Sequence, residues 1–249
     1  MLRAAAIAVL LPALALAEPA DKAPPAALDK VATFARDTVS VVAWPLQLDT
    51  TSALLLGGAT LGTVAMMSHD PHLYSQVHRV RWTLHRRSIF NLTLHLGSGL
   101  ADVAILGAFA FGGERARSTS VSGLQALVSV AVTSVLLKHL FRVPRPENDP
   151  AKKGYFKNFT ADAFPSGHTM AAFATATVIS GNYPAAAPFA YAAASLVGLS
   201  VMKKGWHWPS DVLAGGALGA IIGRSALKVN SRHVSIVPAP GGIAVAAEL

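Results

Sequence analysis

The sequence predicts an all-α fold, a six-helix bundle embedded in a membrane. Three observations point that way. Hydrophobic residues make up 52% of the 249-residue chain and charged residues only 14%, where ordinary soluble domains run near a quarter charged. Mean hydropathy is +0.44. The apolar residues also fall into six separate runs, none of which alternates as a half-buried strand would. Several runs fall short of the ~20 residues a span needs, so a compact helical bundle attached to the membrane from the periplasm is the competing architecture. The apolar excess favours the embedded one.

The elements follow in chain order. MLRAAAIAVLLPALALA has a charged start at Arg3, a short apolar middle and a small-x-small end at Ala15-Leu16-Ala17, which predicts an export signal over 1–17. Export of this kind places the chain in a bacterial-type cell envelope, at the inner membrane or in the periplasm. Residues 18–51 read as a linker and an interfacial segment. The stretch 18–34 is rich in proline and alanine, and 38–48 (TVSVVAWPLQL) is apolar but too short to span. The bundle occupies 52–230, with helices expected at 52–68, 96–112, 121–138, 168–181, 185–202 and 212–227. The tail, 231–249, reads either as a short β-hairpin around Pro240-Gly241-Gly242 or as a loose end.

A net charge of +8 favours anionic partners, and the absence of cysteine excludes disulfides and thiolate metal sites. The basic residues are spread over several loops without interleaved aromatics, which argues against a nucleic-acid groove. No metal, cofactor or obligate protein partner is expected. His69, His72, His78, His85 and His95 crowd one region beside Arg79, Arg81, Arg86 and Arg87. They lack metal-ligand spacing with acidic partners and read as a solvated or headgroup-facing basic loop. Asp102 interrupts the second apolar run; in lipid it would be costly, so it is expected to face the bundle interior.

Polar residues gather where the runs end. KHLFRVPRP closes the third run, FPSGHT opens the fourth, and SVMKKGWHWPSD joins the fifth to the sixth. An up-and-down bundle brings all three to one end. Their chemistry suits a phosphate. Lys138 and Arg145 supply positive charge, and the arginine fork matches phosphoryl oxygens. Pro144 and Pro146 stop a helix and hold Arg145 in an extended turn. Ser166 is a good N-cap, Gly167 permits close approach of the backbone, and the N–H groups that follow form an anion site. His168 is placed to exchange a proton near neutral pH. His207 and Asp211 are four apart, so a helix starting near Pro209 can bring the carboxylate to the imidazole and leave the second ring nitrogen as nucleophile or base. His139 and Arg142 are expected in a supporting role beside the first cluster.

These residues resemble the type 2 phosphatidic acid phosphatase superfamily, which also includes bacterial acid phosphatases and vanadium haloperoxidases. The family pattern K-x6-R-P, P-S-G-H and S-R-x5-H-x3-D is matched by Lys138, Arg145 and Pro146, then Pro165 to His168, then Ser200, His207 and Asp211. The resemblance implies the six-helix bundle of that family and a metal-independent phosphatase. In it His207 attacks phosphorus, Asp211 orients and charge-stabilises His207, and His168 protonates the leaving oxygen. Lys138, Arg145, Ser166 and the Gly167 amide hold the phosphoryl oxygens.

One position departs from the pattern. Val201 stands where the family has arginine, and losing such a donor costs on the order of 10²–10³ in rate. Lys204, one helical turn on, is the expected substitute. The expected substrate is a phosphate monoester or diphosphate on an envelope lipid. The alternatives are a catalytically impaired phospholipid-binding relative and a vanadate haloperoxidase. Counting spans from a cleaved signal places the three clusters on the cytoplasmic side, whereas an envelope role favours a periplasm-facing site, which is the orientation expected here.

Overall fold

The computed structural model describes residues 26–80, 91–149, 162–231, 234–239 and 242–247. In order these form helix α1 (Ala26–Val42), a 3₁₀ turn at Trp44–Leu46, α2 (Thr50–Met67), α3 (Asp70–Arg79), a helical stretch over 91–96, α4 (Leu100–Phe109), α5 (Glu114–Phe141), α6 (Gly167–Asn182), a 3₁₀ turn at Pro184–Ala186, α7 (Ala187–Lys203) and α8 (Pro209–Ser231). Strands β1 (Val234–Ala239) and β2 (Gly242–Ala247) then pair antiparallel, from Val234 opposite Ala247 to Ala239 opposite Gly242. The tail is therefore the hairpin of the two options. The expected signal, 1–17, lies outside the described residues.

All six apolar runs are helical, as α2, α4, α5, α6, α7 and α8. Residues 26–34, read as a linker arm, instead form the first half of α1, which packs on α5 and α8. Its buried stripe runs through Asp37, Thr38, Val41 and on to Trp44. Two of those four are polar, so the stripe does not show as apolar periodicity. Ser129 Oγ donates to the Val41 carbonyl at 3.3 Å, and Trp44 Nε1 donates to Thr133 Oγ1 at 3.3 Å. The bundle thus begins upstream of residue 52.

Among the described residues four helical segments, α2, α5, Pro184–Lys203 and α8, are long and apolar enough to cross a membrane. Their outer faces carry exposed Leu54, Leu61, Leu136 and Phe189, the kind of surface that lipid chains take up. The shorter α6 lies inside, packed against α4, α5, α7 and α8. Asp102 is buried as expected: it accepts from Gly99 N–H at 3.0 Å at the start of α4 and from Thr175 Oγ1 on α6 at 3.1 Å. Far from the predicted site, Asp49 caps α2 by accepting from Ser52 N–H at 2.8 Å and pairs with Lys228 and Arg224 near the end of α8.

The tightest contact in the bundle is between α6 and α8. A Cβ added to Gly215 would lie 2.6 Å from the Ser166 carbonyl oxygen, one on Gly219 2.2 Å from that of Met170, and one on Gly223 2.7 Å from that of Ala174. The three glycines are four apart, and their partners also ascend in steps of four. The two helices are therefore parallel and meet backbone to backbone, the close approach that small residues at this spacing allow. Because they are parallel, both begin at the same end of the bundle.

A methyl group at Gly219 meets main-chain atoms that no rotamer change can move. Gly219→Ala is expected to destabilise the protein by at least the ~1–3 kcal/mol typical of overpacking. Gly58→Ala, where nothing lies within 4 Å of the added atom, should leave the melting temperature unchanged or raise it. Thermal unfolding of the two variants in detergent tests this.

Candidate active site

Each motif forms because a helix starts or stops there. The helix α5 ends at Phe141, and Arg142 takes a left-handed conformation (φ 46°) as its cap, after which the two prolines keep the chain extended. Ser166 caps α6: its Oγ accepts from Thr169 N–H at 3.4 Å and lies 2.9 Å from Thr169 Oγ1. The link from α7 to α8 turns through Gly205, at φ 79°, a conformation that an L side chain rarely adopts. Pro209 opens α8, where its missing N–H costs no hydrogen bond.

Main-chain hydrogen bonds then stitch the three loops together. Ala163 N–H donates to Val143 O at 2.9 Å, Glu147 N–H to Gly205 O at 3.1 Å, and Ser166 N–H to Asp211 O at 3.1 Å. Trp208 Nε1 adds a bond to Pro144 O at 2.9 Å.

The nucleophile candidate is buried, with only 2% of His207 exposed. Its Nδ1 lies 2.7 Å from the Ala163 carbonyl oxygen. A carbonyl only accepts, so Nδ1 carries the proton and Nε2 keeps its lone pair. Asp211 sits 3.7 Å from the same Nδ1, beyond hydrogen-bond distance. Its Oδ2 instead accepts from the Trp208 N–H at 2.7 Å, the reach-back of a third helical residue to its cap. Its Oδ1 has no hydrogen-bond partner among the described residues. The expectation that Asp211 orients His207 therefore needs correcting. The Ala163 carbonyl orients the ring, and Asp211 lies close enough to stabilise positive charge on it.

A residue missed in the sequence organises the cations. Asp162 binds Arg145 bidentately, Oδ1 to Nε at 2.8 Å and Oδ2 to Nη2 at 3.0 Å, and Lys138 Nζ donates to its carbonyl oxygen at 2.6 Å. Arginine keeps Nη1 and the second Nη2 proton for another acceptor. His168 lies within electrostatic reach of His207, Lys138 and Arg145, and its ring centroid is 5.6 Å from that of Trp206. Gly167 is at the same place; a Cβ there would approach Ser134 Oγ to 3.1 Å. The first N–H groups of α6 have no carbonyl within their own helix to bond. Lys138, Arg145, Ser166, Gly167, His168, His207 and Asp211 thus come together at one end of the bundle.

Lys204 does not join them. It is the exposed cap of α7 and is absent from the charges that bear on His168 and Asp162. Lys203 turns to α3, where its Nζ donates to the carbonyls of Val77 and Val80, each at 2.8 Å. Val201 is fully buried. Ser200 faces Thr93, their hydroxyl oxygens 2.6 Å apart. His139 is exposed, and Arg142 Nε donates to the His139 carbonyl at 3.0 Å. In the region read as a basic loop, 70–79 is a helix packed beside α7 and α8, while 81–90 lies outside the described residues. Asp162 carries a weak sequence signal, an acid four residues before the N-cap of α6, that only the fold connects to Arg145.

One end of the helical bundle thus gathers Lys138, Arg145, His168 and His207. The PAP2 superfamily model matches residues 121–234. Decaprenylphosphoryl-5-phosphoribose phosphatase of Mycobacterium tuberculosis is 36% identical over 125 residues, covering 50% of this chain and 68% of that one. The chain belongs to the PAP2 superfamily. Lipid A 1-phosphatase of Porphyromonas gingivalis is 42% identical over 67 residues, which is 25% of this chain but only 15% of that protein's length. The structure resembles the transmembrane PAP2-type phosphatidylglycerolphosphate phosphatase of Bacillus subtilis, with a TM-score of 0.57 at 20% identity, covering 73% of this chain and 96% of that one.

Burial raises the Asp162 carboxyl, but its bond to Arg145 and the positive charges of Lys138 and Arg145 outweigh this and hold it below its ordinary 3.8. A depressed carboxyl contributes stability above its unfolded value and loses it as pH falls through the folded one. Wild type should therefore exceed Asp162→Asn in stability above about pH 4. Acid titrations of the two proteins should converge at lower pH.

Proposed function

We propose that the protein is a phosphatase that hydrolyses a phosphate monoester or diphosphate on a lipid of the cell envelope through a phosphohistidine. The observation that carries this is the hydrogen bond of buried His207: its Nδ1 meets the Ala163 carbonyl at 2.7 Å, which leaves Nε2 of the neutral ring as the nucleophilic atom. Nε2 attacks phosphorus, the N–P bond forms, and the P–O bond to the lipid breaks. His168 donates its proton to the leaving oxygen. Water then attacks the phosphohistidine with His168 as base, releasing orthophosphate and restoring the ring.

The phosphoryl oxygens bind Lys138, Arg145, the Ser166 hydroxyl and the Gly167 amide, which are most effective as charge builds in the transition state. Asp211 stabilises the imidazolium character that His207 acquires once phosphorylated. Three features support a lipid substrate. The site lies at the end of an apolar bundle, and the two curated relatives are named for phosphates on lipid A and on a decaprenyl carrier. The solved neighbour is named for phosphatidylglycerolphosphate. The other expectations, an exported chain and a site facing the periplasm, belong to the same reading.

Purified protein should release orthophosphate from a panel of lipid monophosphates and diphosphates. His207→Ala should release none, and Arg145→Ala about 10²–10³ less. An acid-labile, base-stable phosphoenzyme should be trapped in wild type only. Release that survives His207→Ala would refute the phosphohistidine. Binding without release by wild type would identify the impaired, lipid-binding relative.

The cysteine-free chain makes the sidedness test clean. Lys204→Cys sits on the exposed surface at the site end and should react with a membrane-impermeant maleimide in intact spheroplasts. Labelling only after lysis would place the site in the cytoplasm.

A further inference from the structure

Helix α3 precedes the residues that the superfamily model matches, yet it is fastened to the third motif at both ends. At its start, Asp70 is fully buried. Its Oδ1 accepts from the Ser210 N–H at 2.9 Å and its Oδ2 from the Ser210 hydroxyl at 2.5 Å. At its far end, Lys203 Nζ bonds the Val77 and Val80 carbonyls, and His78 Nε2 lies 3.2 Å from the Lys203 carbonyl oxygen. Between them the Tyr74 ring packs at 5.5 Å from that of Trp208. The chain from 203 to 210, which carries His207, is thus clamped on α3 rather than held only by its own helices.

We propose that Asp70 is a positioning residue for the reaction, setting the start of α8 and through it the separation of His207 from Asp211. This rests on the phosphatase reading. Ser210 stands between the two catalytic residues, and Asp70 holds both its main-chain and its side-chain donor. Satisfying one free N–H at a helix start needs only a single acceptor. Binding the hydroxyl as well fixes the residue against sliding and rotation. Asp211, the next residue, has its own fixed contacts, Oδ2 with Trp208 N–H and its carbonyl with Ser166 N–H. A shift at Ser210 therefore moves the carboxylate relative to the ring and to the cap of α6. Displacements near 1 Å in such an arrangement cost about 10²-fold in rate.

The full chain is assayed in detergent. Wild type must release orthophosphate from a lipid monophosphate and His207→Ala must not; if wild type releases none, the phosphatase reading fails and this proposal falls with it. With activity established, Asp70→Ala is expected to lower kcat about 10²-fold with KM changed less than threefold. Asp70→Asn, whose amide oxygen still accepts the Ser210 N–H, should fall less, and Ser210→Ala should resemble it. Lys228→Ala, which breaks the pair with Asp49 at the opposite end, is the stability control: it should lower the melting temperature and leave kcat intact. The proposal is overturned if folded Asp70→Ala keeps kcat within threefold of wild type, or if Lys228→Ala, at a similar loss of melting temperature, loses as much kcat. Should Asp70→Ala not fold, full kcat in both Asp70→Asn and Ser210→Ala overturns it equally.

Discussion

The main-chain contact between α6 and α8 is the constraint on which the rest depends. Three glycines four residues apart let one helix lie directly on the carbonyls of the other. Their parallel alignment starts both helices at one end of the bundle. One start supplies the capped turn of Ser166, Gly167 and His168; the other supplies His207 and Asp211. An antiparallel pairing would separate the turn of Ser166 to His168 from His207 and Asp211 by the length of a helix. The antiparallel α5 then needs only to end at the same level to deliver Lys138 and Arg145.

Within that frame the chemistry is divided between main chain and side chain. Carbonyl oxygens do the orienting: Ala163 sets the His207 tautomer, and Asp162 takes the Lys138 ammonium. Carboxylates handle charge. Asp162 holds the guanidinium of Arg145 by one edge and leaves the other free, while Asp211 lies near the imidazole without bonding to it. The division suits the proposed phosphohistidine route, in which histidine passes from neutral to cationic and back. The orienting bond can stay in place while the carboxylate responds to the charge.

Much of this was legible in the sequence. The six apolar runs, the cap at Ser166, the helix start at Pro209 and the convergence of three clusters all follow from local rules that the fold obeys. What was hidden has a common cause. The helix α1 escaped notice because its buried stripe includes Asp37 and Thr38, which periodicity counts as solvent-facing. Asp162 and Asp70 act on residues 17 and 140 positions away, and no local pattern encodes such a partner. Spacing on an ideal helix places Lys204 near Val201, whereas the helix ends there and leaves Lys204 at the surface. Its neighbour Lys203 is the lysine that caps α3.

The loops of the site are sewn together through peptide groups, with Ala163 to Val143, Glu147 to Gly205 and Ser166 to Asp211 all joined by main-chain bonds. A peptide group is the same whatever side chain it carries. Such a frame is inherited largely intact while the residues hung upon it drift. That fits a chain which shares a fold with a protein only 20% identical to it. The scaffold that aims the charged groups is thus built from bonds that do not depend on which side chains are present.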